Sequence, residues 1–358
     1  MRCDGHLLKL LIVVSILITI GLFHYTGYFR SNRTVRMSQR FPDITVTIRE
    51  GDLQADTTHT NYLPDNDTNI TQTTLHNMLM PLENELEERR RQLKVTCSTN
   101  SLYQDHVNLE NVTASTTIYV DDKYKVLYCP IHKVATSNWR RVLMVLAGDV
   151  KNESQVGKDH YLAYTSKHKP LKTFSPAERL RRIHTYKKFF FVRHPFERLV
   201  SAFRDKFEMG VAHEEWWYMK TFGVPIKKWA HPEMSARELD AQKTKVTFEE
   251  FIGYVTAFAN TKQIDMHWDQ YHRLCRPCDI DYDIIGKYET LDRDTNFVLH
   301  EIGVYDIVHF PTTKLNNHNT HTSVTSIDSY MSQLSPTVYQ NLKEVYSLDF
   351  EMFGYDMM

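Results

Sequence analysis

No sign of charge dominates this chain. Its 43 Lys and Arg stand against 44 Asp and Glu across 358 residues, a net charge of −1. A global field that would select a polyanionic or polycationic partner is therefore absent. Nucleic acid is not an expected partner, and charge has to be read locally. No repeat of solenoid type recurs along the chain. The G-x-x-x-x-G-K-[ST] signature is missing, which excludes a Walker A loop. Long apolar runs are scarce, with residues 7–29 the one stretch that stands out.

That stretch, "LLKLLIVVSILITIGLFHYTGYF", is interrupted only by Lys9 and is long enough for a single membrane span. A cleaved signal peptide is the alternative, but no A-x-A-like site follows, so an uncleaved anchor is expected. Arg30, Arg33, Arg36 and Arg40 follow the run and on their own favour a cytoplasmic C-terminal side. The glycosylation signals at Asn32, Asn66, Asn69, Asn111 and Asn152 favour the reverse. The expectation is a type II arrangement: a cytoplasmic tail (1–6), an anchor (7–29), a lumenal stem (30–96) and a lumenal domain (97–358). Cys97, Cys129, Cys275 and Cys278 form an even set for an oxidising compartment, with three pairings open.

Within the stem, "DTTHTNYLPDNDTNITQTT" (56–74) has too little apolar content to build a core. "ENELEERRRQLKV" (83–95) has helical composition and strong charge, and reads as a solvated helix that offers a route to an oligomer. From Cys97 onward the composition becomes globular. Strand-like runs at 117–120, 124–129, 188–193 and 283–287 alternate with helical patterns at 138–147, 176–184, 196–209, 248–258, 291–301 and 336–346. Such alternation predicts an α/β domain with a central, mainly parallel sheet flanked by helices.

Two segments share a strand–turn–helix outline. In "YKVLYCPIHKVATSNWRRVLMVL" (124–146), the turn carries Lys133, Thr136 and Ser137 at the start of a helix, where backbone N–H groups favour an anion. The alternative is that Ser137 or Asn138 merely caps the helix. In "YKKFFFVRHPFERLVSAFRDKF" (186–207), Arg193 ends a strand and Pro195 opens a helix. Strand carboxyl ends are where open α/β sheets bind ligands, and an arginine there offers a planar fork for phosphate. Here the alternative is an internal pair with Glu197.

Taken together, these residues resemble sulfotransferases that use 3′-phosphoadenosine 5′-phosphosulfate (PAPS). "HKVATSNWRRVLMVL" is similar to their 5′-phosphosulfate loop, and "FVRHPFERLVSAFRDKF" to their 3′-phosphate motif, including the eight-residue step from Arg193 to Ser201. "RLCRPCDIDYDIIGKYETLDRDTNFVL" (273–299) and "LKEVYSLDFEMFGY" (342–355) narrow the resemblance to the Golgi carbohydrate sulfotransferases, chondroitin and dermatan 4-O-sulfotransferases among them. The resemblance covers roughly 97–355. It implies a P-loop-like fold, PAPS as co-substrate, no metal, a Golgi location, and a glycosaminoglycan or other glycan acceptor. It places the nucleotide against His132, Lys133, Val134, Ala135, Thr136, Ser137 and Asn138, and against Arg193, His194, Pro195, Phe196, Glu197, Arg198, Leu199, Val200 and Ser201. Lys133 would meet the charge on the leaving phosphate, while Arg193 and Ser201 would hold the 3′-phosphate. The chain departs from the family at His132 (usually proline), Thr136 (often cysteine in this subgroup) and His194 (usually acidic). These departures keep open an altered acceptor, such as terminal GalNAc or glucuronate on glycoproteins, or an inactive glycan-binding member.

Sulfuryl transfer needs an in-line approach, a stabilised leaving group and a base for the acceptor hydroxyl. His160, between the two turns, is the favoured base, with His267 and His132 as alternatives. Basic clusters at Arg140-Arg141, Arg179, Arg181-Arg182, Lys187-Lys188 and Lys227-Lys228 suit an anionic glycan, and "WWYMKTFGVPIKKW" (216–229) suits sugar stacking. His267, His272, Cys275 and Cys278 have a spacing compatible with zinc, but disulfides are the preferred reading in an oxidising compartment.

Overall fold

The computed structural model describes residues 72–100, 108–152, 155, 167–208, 217–235, 237–239, 245–261, 264–311 and 324–357. The proposed anchor and His160 lie outside them. Among the described residues no helix is long and apolar enough to cross a membrane.

The elements run α1 (Gln72–Thr99), α2 (Leu109–Ser115), β1 (Tyr119–Asp121), β2 (Val126–Cys129), α3 (Thr136–Leu146), β3 (Lys169–Pro170), α4 (Pro176–Thr185), β4 (Lys187–Val192) and α5 (Pro195–Phe203). A π-helical turn (Arg204–Glu208) extends α5. There follow α6 (Val224–Ala230), α7 (Phe248–Phe258), α8 (Tyr271–Cys275), β5 (Ile284–Lys287), α9 (Leu291–Glu301), α10 (Val324–Met331) and α11 (Pro336–Phe353). The five strands lie in the order β3-β1-β2-β4-β5. β2, β4 and β5 are parallel, while β1 pairs antiparallel with both β2 and β3. The sheet is thus mixed, with a parallel half, rather than mainly parallel.

β4 is the middle of that half. Phe189, Phe190, Phe191 and Val192 are completely buried, as a strand covered on both faces must be. Trp139 of α3 fills one face, with its ring 4.6 Å from Phe189 and 5.3 Å from Phe191. Gly286 lies opposite Phe191 in register, and a Cβ there would sit 2.2 Å from that ring. Glycine is what lets β5 approach. A second core joins Phe196, Leu199, Val200 and Phe203 of α5 to α7 and α11 through Phe251, Ile252, Leu342 and Tyr346.

The helix expected to be solvated is not. Leu82, Leu86, Arg89, Leu93 and Thr96 of α1 are buried, spaced as one stripe of a helix. α1 packs on α11 and β5. Arg89 donates to the buried Asp294 carboxylate and, at 3.0 Å, to the carbonyl of Ile285. The charges of 83–95 therefore mislead: Arg89 sits inside the apolar stripe, with its partner some 200 residues away. That stripe is used within the subunit. Cys97 at the end of α1 is bonded to Cys278, and Cys129 at the end of β2 to Cys275. These bonds select one of the three pairings and remove both cysteines from any zinc set; among the described residues no metal-holding group occurs.

Candidate active site

Because β2 and β4 are adjacent and parallel, with Cys129 beside Phe190, the turns that follow them open on the same sheet edge. β5 ends there too. Three strand carboxyl ends thus converge, the arrangement expected of a ligand crevice.

The turn after β2 is shaped by backbone strain. Lys133 (φ 71°) and Ala135 (φ 63°) both lie in the left-handed region that non-glycine residues rarely adopt. Left-handed residues on both sides of a fully buried Val134 are the kind of backbone pattern from which anion-binding nests are built. Ala135 is the N-cap of α3 and supplies no capping side chain. Neither alternative cap operates. Asn138 is buried, donating Nδ2–H to Pro311 O at 3.0 Å and accepting from Arg141 at 2.6 Å, and Ser137 is exposed. The helix start is left open for an anion. Thr136 donates its hydroxyl proton to Ile131 O, so toward a ligand it offers its backbone N–H.

The turn after β4 is held more firmly. Tyr271 Oη donates to Arg193 O at 2.7 Å and accepts from Arg193 N–H at 3.0 Å. The Arg193 side chain stacks over Tyr288, 4.4 Å from the ring centre, and gives Nε–H to Glu197 at 3.1 Å. The pair with Glu197 therefore exists, yet it uses only Nε; neither Nη makes a hydrogen bond among the described residues. Ser201, nearly buried on α5, likewise keeps its hydroxyl uncommitted there. Pro195, Phe196, Leu199 and Val200 bury their side chains in the core, so only their backbone faces the turn.

Two other residues of this motif have structural side-chain roles. His194 donates its backbone N–H to Glu289 at 2.7 Å, and its ring packs edge-on against Phe350 and Tyr355. The carboxylate expected after the arginine thus comes from Glu289, two residues beyond the end of β5 on the same edge. Arg198 is buried and spends its whole fork on carbonyls: Nε to His132 at 3.1 Å, Nη1 to Asp269 at 2.6 Å, Nη2 to Met266 at 3.0 Å. It ties α5 to the first turn and to the segment carrying His267.

Lys133 lies where these elements meet. Its Nζ is 3.2 Å from Asp205 Oδ2, which also takes Lys206 Nζ at 3.1 Å. Burial lowers the Lys133 pKa; Asp205 opposes that, while Lys206 and Arg193 add to it. Three cations are thus close enough to sense one another, a pattern suited to phosphate and sulfate oxygens. Burial resists ionisation of Asp205, but Lys133 and Lys206 outweigh it and bring the pKa down to about 2. His132 packs against His267 with the rings tilted, centres 4.1 Å apart, and burial holds both histidines below their usual pKa.

The sequence patterns do not mark Asp205, Lys206, Asp265 or Tyr288, and include Tyr218 only as part of the 216–229 aromatic segment. The break of helical period in "FRDKF" is the readable signal for the first two, since the π turn there re-aims them inward. The basic clusters fare differently from expectation. Arg182 is paired with Asp122, Lys187 with Glu301, Lys188 with Asp283 and Lys227 with Glu250, while Arg179 donates to Thr113 and to the carbonyls of Phe174 and Glu110. These five residues are engaged within the fold, whereas Arg181 is exposed.

Comparison with known proteins fits this geometry. Human carbohydrate sulfotransferase 8 is 36% identical over 285 residues, covering 79% of this chain and 65% of that protein. Human carbohydrate sulfotransferase 9 is 37% identical over 271 residues, 75% of this chain and 59% of its own length. Rat carbohydrate sulfotransferase 11 is 34% identical over 272 residues, 75% of each chain. The chain thus spans under two-thirds of the length of the first two. No solved structure matches. The model of the sulfotransferase family matches residues 116–356, which include both turns and all five strands, and the chain belongs to that family.

Proposed function

We propose that this protein transfers a sulfuryl group from PAPS to a hydroxyl of a glycan. The observation that carries the reading is the placing of Lys133 and Arg193 at neighbouring carboxyl ends of β2 and β4, each beside a helix start that no side chain caps. The residues fit the nucleotide. The concave turn at 133–136 and Lys133 suit its 5′-phosphosulfate; the free Nη groups of Arg193 and the Ser201 hydroxyl suit its 3′-phosphate. PAPS supplies the activated sulfuryl group; the protein orients it and offsets charge on the departing phosphate through Lys133.

The finer reading is transfer to the 4-hydroxyl of N-acetylgalactosamine in chondroitin or dermatan, by a type II Golgi membrane protein with its catalytic domain in the lumen. The relatives named carbohydrate sulfotransferases support a glycan acceptor. Titration calorimetry with adenosine 3′,5′-bisphosphate tests the nucleotide site. Binding that weakens at least tenfold in Arg193→Ala is expected; binding equal to wild type in that variant contradicts the reading.

A further inference from the structure

The proposed reaction still needs a group to take the acceptor's proton. Resting on that reading, we infer that His267, oriented by Asp265, is this base, and that the acceptor sugar approaches over Trp217 and Met266.

The geometry is that of an oriented imidazole. Asp265 Oδ1 lies 2.6 Å from His267 Nδ1 and also accepts the His267 backbone N–H at 2.9 Å, which fixes carboxylate and ring together. Tyr218 Oη is 3.1 Å from the same Nδ1. With Nδ1–H given to the carboxylate, the lone pair is on Nε2. Nε2 makes no hydrogen bond among the described residues, and it is not among their sealed, unsatisfied atoms. An imidazole pinned at one nitrogen and open at the other is the arrangement of a general base whose tautomer is set by a carboxylate.

Its surroundings are those of the reaction. The His132 ring packs against it, tilted, from the turn that carries Lys133. Lys206 comes from the π turn beside Lys133 and Asp205. Arg198 anchors the carbonyls of Met266 and Asp269 on either side of His267, and that of His132. One buried side chain therefore sets the distance between the phosphosulfate turn and the dyad. Two large apolar side chains stay exposed here: Trp217 (48%), whose ring packs on Tyr218, and Met266 (52%), adjacent in sequence to His267. An indole face and a thioether offer apolar contact to the C–H face of a sugar while its hydroxyls remain outward.

The step balances. The acceptor oxygen forms the new O–S bond as the donor's bond from sulfur to the bridging phosphate oxygen breaks. The acceptor's proton passes to His267 Nε2. The electron pair of the broken bond stays on the departing bisphosphate, whose added charge Lys133 meets.

The test uses the full chain with radiolabelled PAPS, a desulfated chondroitin or dermatan acceptor, and calorimetry with adenosine 3′,5′-bisphosphate. His267→Gln is expected to lower kcat about 10²- to 10⁴-fold, the usual contribution of a positioned base. Its bisphosphate affinity should stay within about threefold of wild type (a shift below ~0.7 kcal/mol). Asp265→Asn should lower kcat by a smaller factor and move the acidic limb of the kcat/KM profile to lower pH. It removes the one carboxylate on His267, leaving Lys133, Lys206, neutral His132 and Tyr218 facing the ring. Trp217→Ala should raise the acceptor KM with little change in that of PAPS. A His267→Gln variant that keeps wild-type kcat, or that loses bisphosphate binding in step with kcat, overturns the assignment. So does a His160→Ala variant that abolishes turnover while His267→Gln does not. In those cases wild-type transfer leaves the proposed reaction standing. A wild type that transfers to no acceptor removes the reaction and the base together.

Discussion

Asp205 bridges Lys133 and Lys206, its Oδ2 3.2 Å from one ammonium and 3.1 Å from the other. The lysine that should meet the donor is therefore already engaged by a carboxylate in the free protein. Any anion entering the turn competes with Asp205 for Lys133.

Asp205→Asn should tighten adenosine 3′,5′-bisphosphate binding by roughly 3- to 10-fold, by removing the competitor at the ~1 kcal/mol scale of a partly exposed pair. Calorimetry decides it, and weaker binding in the variant would show Asp205 to be a positioning group instead. The depressed Asp205 pKa means the pair's stabilisation is complete above the carboxyl's ordinary value of 3.8 and is lost as pH falls toward about 2. Over pH 5–8 the Asp205 contribution to binding should stay flat.

Arg193→Lys should not restore nucleotide binding. Arg193 uses one edge of a planar group for Glu197, one face for Tyr288, and has its remaining donors free. An ammonium cannot do all three. Expected affinities for Arg193→Lys and Arg193→Ala lie within about threefold of each other (~0.7 kcal/mol), measured by the same titration. Recovery of wild-type affinity in the lysine variant would refute the planar-fork argument.

Arg198→Met should destabilise the fold by roughly 3–5 kcal/mol, because three part-buried carbonyls lose a charged donor at once. Thermal denaturation measures it. A stable Arg198→Met protein with lowered kcat would place the residue's weight on positioning His267 rather than on stability.

Acid should destabilise the folded protein through its buried histidines. Burial holds His132, His194 and His267 below the usual value of 6.5. The unfolded chain therefore takes up more protons as pH falls through that value, and stability drops. The melting temperature is expected to fall between pH 7.5 and 5.5, and to fall less in His132→Gln. An unchanged pH dependence in that variant would remove His132 from the explanation.

α1 yields a prediction about boundaries. Chains beginning at residue 97 should fail to fold or should aggregate, whereas chains beginning at 72 should fold. The shorter form loses Leu82, Leu86 and Leu93, each contributing about 1.5–3 kcal/mol, and strands Asp294 without Arg89. Circular dichroism on the two forms separates the outcomes.

These cases also mark what sequence could and could not reveal. Both strand–turn–helix units were legible, because "VLYC" and "KKFFFV" are apolar runs closed by turn residues and followed by helical spacing. Lys133 and Arg193 followed from their position at strand ends. Arg89 and Arg198 are not legible as buried: their burial depends on partners distant in the chain, Asp294 and three backbone carbonyls. The partners of Lys187, Lys188 and Arg182 are illegible for the same reason, since Glu301, Asp283 and Asp122 are distant in sequence. The β5 edge was read only as a strand, since the role of Tyr288 and Glu289 exists only once β4 and β5 lie side by side. His267 is one of three candidate bases in the sequence, but Asp265 sits in a loop with no periodicity to mark it, and only the 2.6 Å contact singles the pair out.

The central claim is that Lys133 and Arg193 hold one nucleotide for sulfuryl transfer to a glycan. The direct measurement is transfer of radiolabelled sulfate from PAPS to desulfated chondroitin, dermatan and glycoprotein glycans, with wild type, Lys133→Ala and Arg193→Ala side by side. The account expects wild-type label on N-acetylgalactosamine, loss of at least about 10²-fold in Lys133→Ala, and a raised KM for PAPS in Arg193→Ala. Label transfer that survives both substitutions at the wild-type rate, or a wild type that labels no glycan, would contradict it.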